Sequence, residues 1–265
     1  MSKDNQGVKT RLLRILNLAA FVVMVVVNAL ANALPIAGRT TGEVSNMYPD
    51  LFAPAPITFG IWGLIYLLLG AFVVFGFISK PRESSSSPTY LDKIGYLFAL
   101  SCAVNAAWIF AWHSLQVGVS LVLMVVLFVL LARIYLALHA HADYQTNTER
   151  LAVQLPFRVY FGWISVALIA NVAAVLVDAG WTGFGISEVL WTQIMVVAAV
   201  LVGLLVLMIR KDYPYALVVV WALVGIGLRH YSAEPQIMAI VSTAIAGIAV
   251  LLVGAAKQMF SGVRS

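Results

Sequence analysis

From Leu12 to Leu34 the chain runs twenty-three residues with a single charge, Arg14, and stretches of this kind recur along its whole length. A helix rising 1.5 Å per residue needs about 20 apolar residues to cross roughly 30 Å of bilayer hydrocarbon. Eight segments meet that condition or come close to it: 12–34, 58–79, 93–113, 116–140, 151–178, 188–210, 214–230 and 236–258. Hydrophobic residues make up 62% of the 265 and charged residues 10%, a balance that excludes a soluble domain. The expected fold class is therefore an all-α integral membrane protein, a bundle of eight transmembrane helices. Cys102 is the one cysteine, so neither an intrachain disulfide nor a Cys-based metal site is available, and it reads as a small buried hydrophobe.

The formal charge of +5 is explained by where the basic residues fall. With the N-terminus in the cytoplasm, the inner segments hold Lys3, Lys9, Arg11, Arg14, Lys80, Arg82, Lys93, Arg150, Arg210, Lys211, Lys257 and Arg264. Only Arg39 and Arg229 fall outside, as the positive-inside rule requires of an even number of spans. The expectation is a multi-pass protein of the cell membrane with both termini cytoplasmic, residues 1–11 forming an inner N-terminal segment and 259–265 an inner tail. Ala31-Asn32-Ala33 imitates a signal-cleavage site, but Asn17, Phe21, Met24, Asn28 and Asn32 form one helical stripe. Such a stripe faces other protein, so the first helix is read as retained. No repeat links the halves, which removes the inverted-repeat signature of transporters.

The loop before the second helix is unusual. Pro49, Pro54 and Pro56 fix φ and remove three donors, giving an extended, turning segment from Tyr48 onward. Thr58 is expected to cap the helix, and Phe59, Trp62 and Tyr66 then recur on one face. Ser101, Asn105, Trp108 and Trp112 share a face of the third helix, and Tyr160, Trp163, Ala167 and Asn171 one of the fifth. Asn105 and Trp163 lie twelve residues above their inner helix starts, or ~18 Å. Rigid aromatics with a few amides beneath a stiff lid suit a flat, hydrophobic ligand. The same residues also suit an interfacial tryptophan belt and asparagines that hold helices together. Trp221, on the seventh helix, is read as lying outside the site.

The ordered set Pro54-x-Pro56, Phe59-Gly60-x-Trp62, Tyr66 and Gly70, then Asn105-x-x-Trp108, then Tyr160-x-x-Trp163-x-x-x-Ala167-x-x-x-Asn171 resembles the TspO/MBR family of tryptophan-rich sensory proteins and translocator proteins. The resemblance covers about residues 12–178, which it implies are a five-helix membrane bundle; residues 188–258 add three helices with no counterpart in that fold. It further implies a receptor-like protein, not an enzyme, that binds porphyrins, sterols or similar ligands between its helices, with no required cofactor and with porphyrin or haem as candidate ligands. Trp62, Asn105 and Trp163 match family cavity positions, and Tyr48 to Pro56 the first-loop lid. Tyr48, Pro54, Phe59, Trp62, Tyr66, Asn28, Asn105, Trp108, Tyr160, Trp163 and Asn171 are the candidate ligand-binding residues. Leu123 stands where members often carry an Asp on the fourth helix.

Other signals are weaker. His139-x-His141 places its rings on different helix faces, which suits no metal site, and His113 sits at an outer helix end. Arg158 lies about two turns into the fifth helix, either snorkelling or meeting a ligand carboxylate. Arg133-Ile-Tyr135-Leu-Ala-Leu138 is a cholesterol-type pattern. No GxSxG, P-loop, HExxH or paired-carboxylate arrangement is present, so no catalytic site is expected. The alternative function is a small-solute or lipid transporter that moves the three C-terminal helices. Expected partners are the hydrophobic ligand and membrane lipid, with no nucleic acid. Ala239, Thr243, Gly247 and Gly254 form a small-residue stripe on the last helix, expected to pack within the chain or in a homodimer.

Overall fold

A computed structural model describes residues 3–34, 38–79, 89–140 and 146–261. Lys80, Arg82, the SSSSP linker, His141 and Arg264 lie outside the described residues. The elements are α-helices: α1 (Lys3–Ala33), α2 (Thr41–Met47), α3 (Ile61–Ile78), α4 (Tyr90–Ile94), α5 (Leu97–His113), α6 (Val117–His139), α7 (Asn147–Glu149), α8 (Leu155–Asp178), α9 (Glu188–Arg210), α10 (Tyr213–Tyr231) and α11 (Met238–Ser261). Among the described residues, seven helical stretches are long and apolar enough to cross a membrane. The eighth expected span, α5, is a shorter apolar helix of 17 residues, about 25 Å at 1.5 Å per residue. The chain is an all-α membrane protein.

Local chemistry explains where helices start and stop. The expected third helix, 93–113, is two pieces. Thr89 caps α4 through a reciprocal box with Asp92, and Gly95 then takes φ 49°, a conformation that ends a helix and suits glycine. Asp212 accepts from Tyr215 N at 3.1 Å and caps α10, with Pro214 in the first turn. Ser187 caps α9 in the same way. Thr58 does not cap the second span as expected. It lies inside a 3-10 turn, Pro56–Gly60, and α3 begins only at Ile61. The short helix α2 lies in the connection between the first two spans, ahead of the segment from Tyr48 onward that is expected to be extended. A π-helical turn, Arg150–Gln154, precedes α8.

The chain divides into two compact units, Met1–Thr40 with Trp62–Phe161, and Thr41–Ile61 with Gly162–Ser265. In the first, Phe72, Phe98 and Phe157 meet edge to face at 5.0, 5.0 and 5.8 Å between ring centroids, a geometry the ring quadrupoles favour. In the second, α9, α10 and α11 pack through small residues. Gly247 lies against Val200 and Leu223, and Gly254 against Leu207. Gln193 Nε2 donates to Thr243 Oγ1 at 2.8 Å and to the Ala239 carbonyl at 3.1 Å. The stripe of α11 is thus used inside the chain, where close backbone approach replaces the missing hydrophobic drive.

Candidate functional site

Trp62 enters one residue after α3 begins and is the hub of an aromatic group in the first unit. Its ring stacks on Tyr66 at 5.7 Å and on Trp108 at 6.4 Å, and meets Tyr160 edge-on at 5.9 Å. Trp108 in turn stacks on Trp112 at 5.8 Å with the planes 16° apart. The helical spacings i, i+4 in α3 and α5 put each pair on one face, and the facing stripes interleave. Two polar atoms in this group are buried without a hydrogen-bond partner, Tyr66 Oη and Trp108 Nε1. Such groups cost about 1–3 kcal/mol each when left unmet.

Behind the rings runs a satisfied polar chain. Asn28 Nδ2 donates to Asn105 Oδ1 at 2.8 Å and to the Met24 carbonyl at 2.9 Å. Asn105 Nδ2 donates to Tyr160 Oη at 2.9 Å. Asn105 is fully buried and both ends of its amide are engaged. It ties α1, α5 and α8 together, which is the helix-pinning role weighed for the asparagines above. The donors left over belong to Tyr66 and Trp108.

The remaining expected residues lie in the second unit. Phe59 does not continue the Trp62 and Tyr66 face; carried by the 3-10 turn, it meets Trp163 edge to face at 6.1 Å. Tyr48, Pro54 and Asn171 are buried there. The proline loop is strapped to α10 along its length. Ala55 N donates to the Gly225 carbonyl at 3.0 Å, Arg229 Nη1 to the Ala53 carbonyl at 2.8 Å, and His230 Nε2 to the Leu51 carbonyl at 2.6 Å. Trp221 Nε1 donates to the Thr58 carbonyl at 2.9 Å, so this indole helps to hold the end of the proline loop. Gly225 is glycine because the Thr58 side chain fills the space a Cβ would take. Asp50 turns the loop by accepting from Phe52 N at 3.0 Å and Ala53 N at 2.7 Å. Burial pushes its carboxyl up to about 6, against the pull of the Ala53 amide and the nearby Arg229.

A TSPO-like protein family model matches residues 14–256. The chain belongs to the TSPO-like family. It is a multi-pass membrane protein of the TspO type. No curated protein and no solved structure gives a match. The matched region takes in α9 and α10 and most of α11, beyond residue 178 where the resemblance read from the sequence stops.

In this TSPO-like protein two other sequence signals find their places. Tyr135 of the cholesterol-type pattern is buried and stacks on His139 at 5.5 Å, so its ring does not face lipid. Arg158 Nη2 donates to Gln154 Oε1 at 2.8 Å, in a shallow recess shared with Tyr135, Leu138, His139 and Phe157. Sequence reasoning missed Arg229, His230 and Gly225 as loop-holding residues. The signal on offer was the concentration of an Arg, a His and two glycines in the last turns of a short span.

Proposed function

We propose that this protein is a non-enzymatic ligand-binding receptor of the membrane, taking a flat hydrophobic molecule against the Trp62, Tyr66 and Trp108 rings. The observation that carries this reading is the pair of buried, unmet hydrogen-bond donors, Tyr66 Oη and Trp108 Nε1, flanking a stacked indole. Stacked aromatics offer a planar ligand a matching face. Two donors carried by the rings that stack on Trp62 favour a ligand with acceptors at its edge, as the carboxylates of a porphyrin or the oxygen of a sterol provide. Asn105 acts as the rigid backing through its bonds to Asn28 and Tyr160. The charge bias supports placing both termini on the cytoplasmic side of the cell membrane.

Titrating the purified protein with protoporphyrin, haem and a sterol, while following tryptophan fluorescence, tests the proposal. Saturable quenching by at least one of the three is expected. Only linear, non-saturating quenching by all three would overturn it.

A further inference from the structure

Arg14 and Asn17 are three residues apart on α1 and so share a face. Asn17 is 3% exposed, yet neither its Oδ1 nor its Nδ2 has a hydrogen-bond partner. Arg14 Nε is buried and unmet as well, and the Tyr90 hydroxyl is buried with only the Ser79 hydroxyl beside it, outside good hydrogen-bond geometry. These atoms lie together in the first unit. Arg14 Nη2 donates to the Ser79 carbonyl at 3.3 Å, and the Arg14 charge acts on the Tyr90 hydroxyl. The Phe21 ring touches Gly70, so the antiparallel register running from there to the Arg14–Ser79 contact sets Asn17 opposite about Phe75–Gly76. Gly76 lies beside the Tyr90 hydroxyl: a Cβ built there would touch it at 3.6 Å.

Three unmet polar atoms on Arg14 and Asn17, with the Tyr90 hydroxyl beside Arg14, call for a partner. Counting what they offer, Arg14 Nε–H, Asn17 Nδ2–H and the Tyr90 hydroxyl donate, Asn17 Oδ1 accepts, and Arg14 adds a full positive charge. Among the described residues no carboxylate forms an ion pair with Arg14, and Asp92, on the same short helix as Tyr90, is engaged by Lys9 at 3.9 Å and by Thr89. An occupant that matches this set is an anion presenting several acceptor oxygens and one hydroxyl that can donate to Asn17 Oδ1, as hydrogen phosphate or a phosphate monoester does. The position along the chain fits as well. Arg14 lies two turns into the first span, Ser79 follows the end of α3, and Tyr90 precedes α5. Ends of spans are where the bilayer carries its headgroups.

We propose that Arg14, Asn17 and Tyr90 form a binding site for a phosphate group, supplied by a lipid headgroup or by free phosphate. The site is separate from the aromatic group around Trp62 and does not depend on its reading.

The test uses the full chain in a phosphate-free maltoside detergent at constant ionic strength, with the melting temperature followed while either inorganic phosphate or short-chain phosphatidic acid is added. A saturable rise with either is expected. A response to the lipid alone assigns the headgroup as source, and a response to both assigns the phosphate group itself. Losing one charge-assisted bond weakens such binding by about tenfold or more. Arg14→Met should therefore abolish the rise and Asn17→Leu shift its midpoint upward, while Arg11→Met, at an exposed position, leaves it unchanged. Asn17→Leu keeps the question decidable if Arg14→Met fails to fold. No rise with either compound, or an equal rise in Asn17→Leu and wild type, would overturn the proposal and leave the cluster to water.

Discussion

Asn105 spends both ends of its amide on protein, and so at the scale of residues it is a pin. Asn105→Ala strips the partner from a fully buried Tyr160 hydroxyl, which should cost about 1–3 kcal/mol of stability. A melting temperature equal to wild type in detergent would contradict that role. Asp50 makes a different prediction. Its folded carboxyl titrates near 6, above the usual 3.8, so the folded protein holds the proton more tightly than the unfolded chain does. That contribution to stability is fully present below pH 3.8 and is lost as pH rises through about 6. Asp50→Asn should remove this dependence, which is on the order of 3 kcal/mol across the window. Parallel melting curves for the two proteins between pH 4 and 7 would count against it. The Asn105 to Trp108 spacing was legible as a helical face. Which polar atoms would be left over was not, because that depends on partners 77 and 55 residues away.

At the scale of elements, hydropathy and capping chemistry carry most of the fold. Ser187 and Asp212 mark their helix starts because a side-chain oxygen before an apolar run has one obvious use. The break at Gly95 was also in the sequence, as a Thr89-x-x-Asp92 box followed by glycine, but the apolar run on either side hides it. The strap on α10 was beyond sequence reading. It joins residues 163, 176 and 179 apart, and its acceptors are backbone carbonyls, which every sequence supplies. Gly225→Leu would drive a side chain into Thr58 and should both lower the melting temperature and expose residues 48–57 to protease. Unchanged protection of that loop would show that the strap is dispensable. On α11, Gly247→Leu meets Val200 and Leu223, an overpacking worth about 1–3 kcal/mol. An unaltered melting point would mean that this face has room to spare.

For the whole molecule, if the seven long apolar helices among the described residues and the shorter α5 all cross, the chain returns to its starting side of the membrane. A reporter fused after Ser265 should accordingly report the same compartment as one fused at the N-terminus; opposite compartments would mean that α5 does not cross. The family match through residue 256 takes in the C-terminal helices, and within the second unit α10 holds the proline loop. The central claim is that Trp62 and its neighbours bind a planar ligand. Comparing protoporphyrin affinities of wild type, Trp62→Ala, Trp108→Phe and Trp181→Phe tests it most directly. Trp62→Ala loses stacking and buried area and should bind about tenfold more weakly. Trp108→Phe keeps a ring but drops the unmet donor, for a loss of about fivefold, while Trp181, in the turn before α9 beside Phe184 and Trp191, should not matter. Equal affinity in all four proteins, each folded as wild type, would contradict the claim.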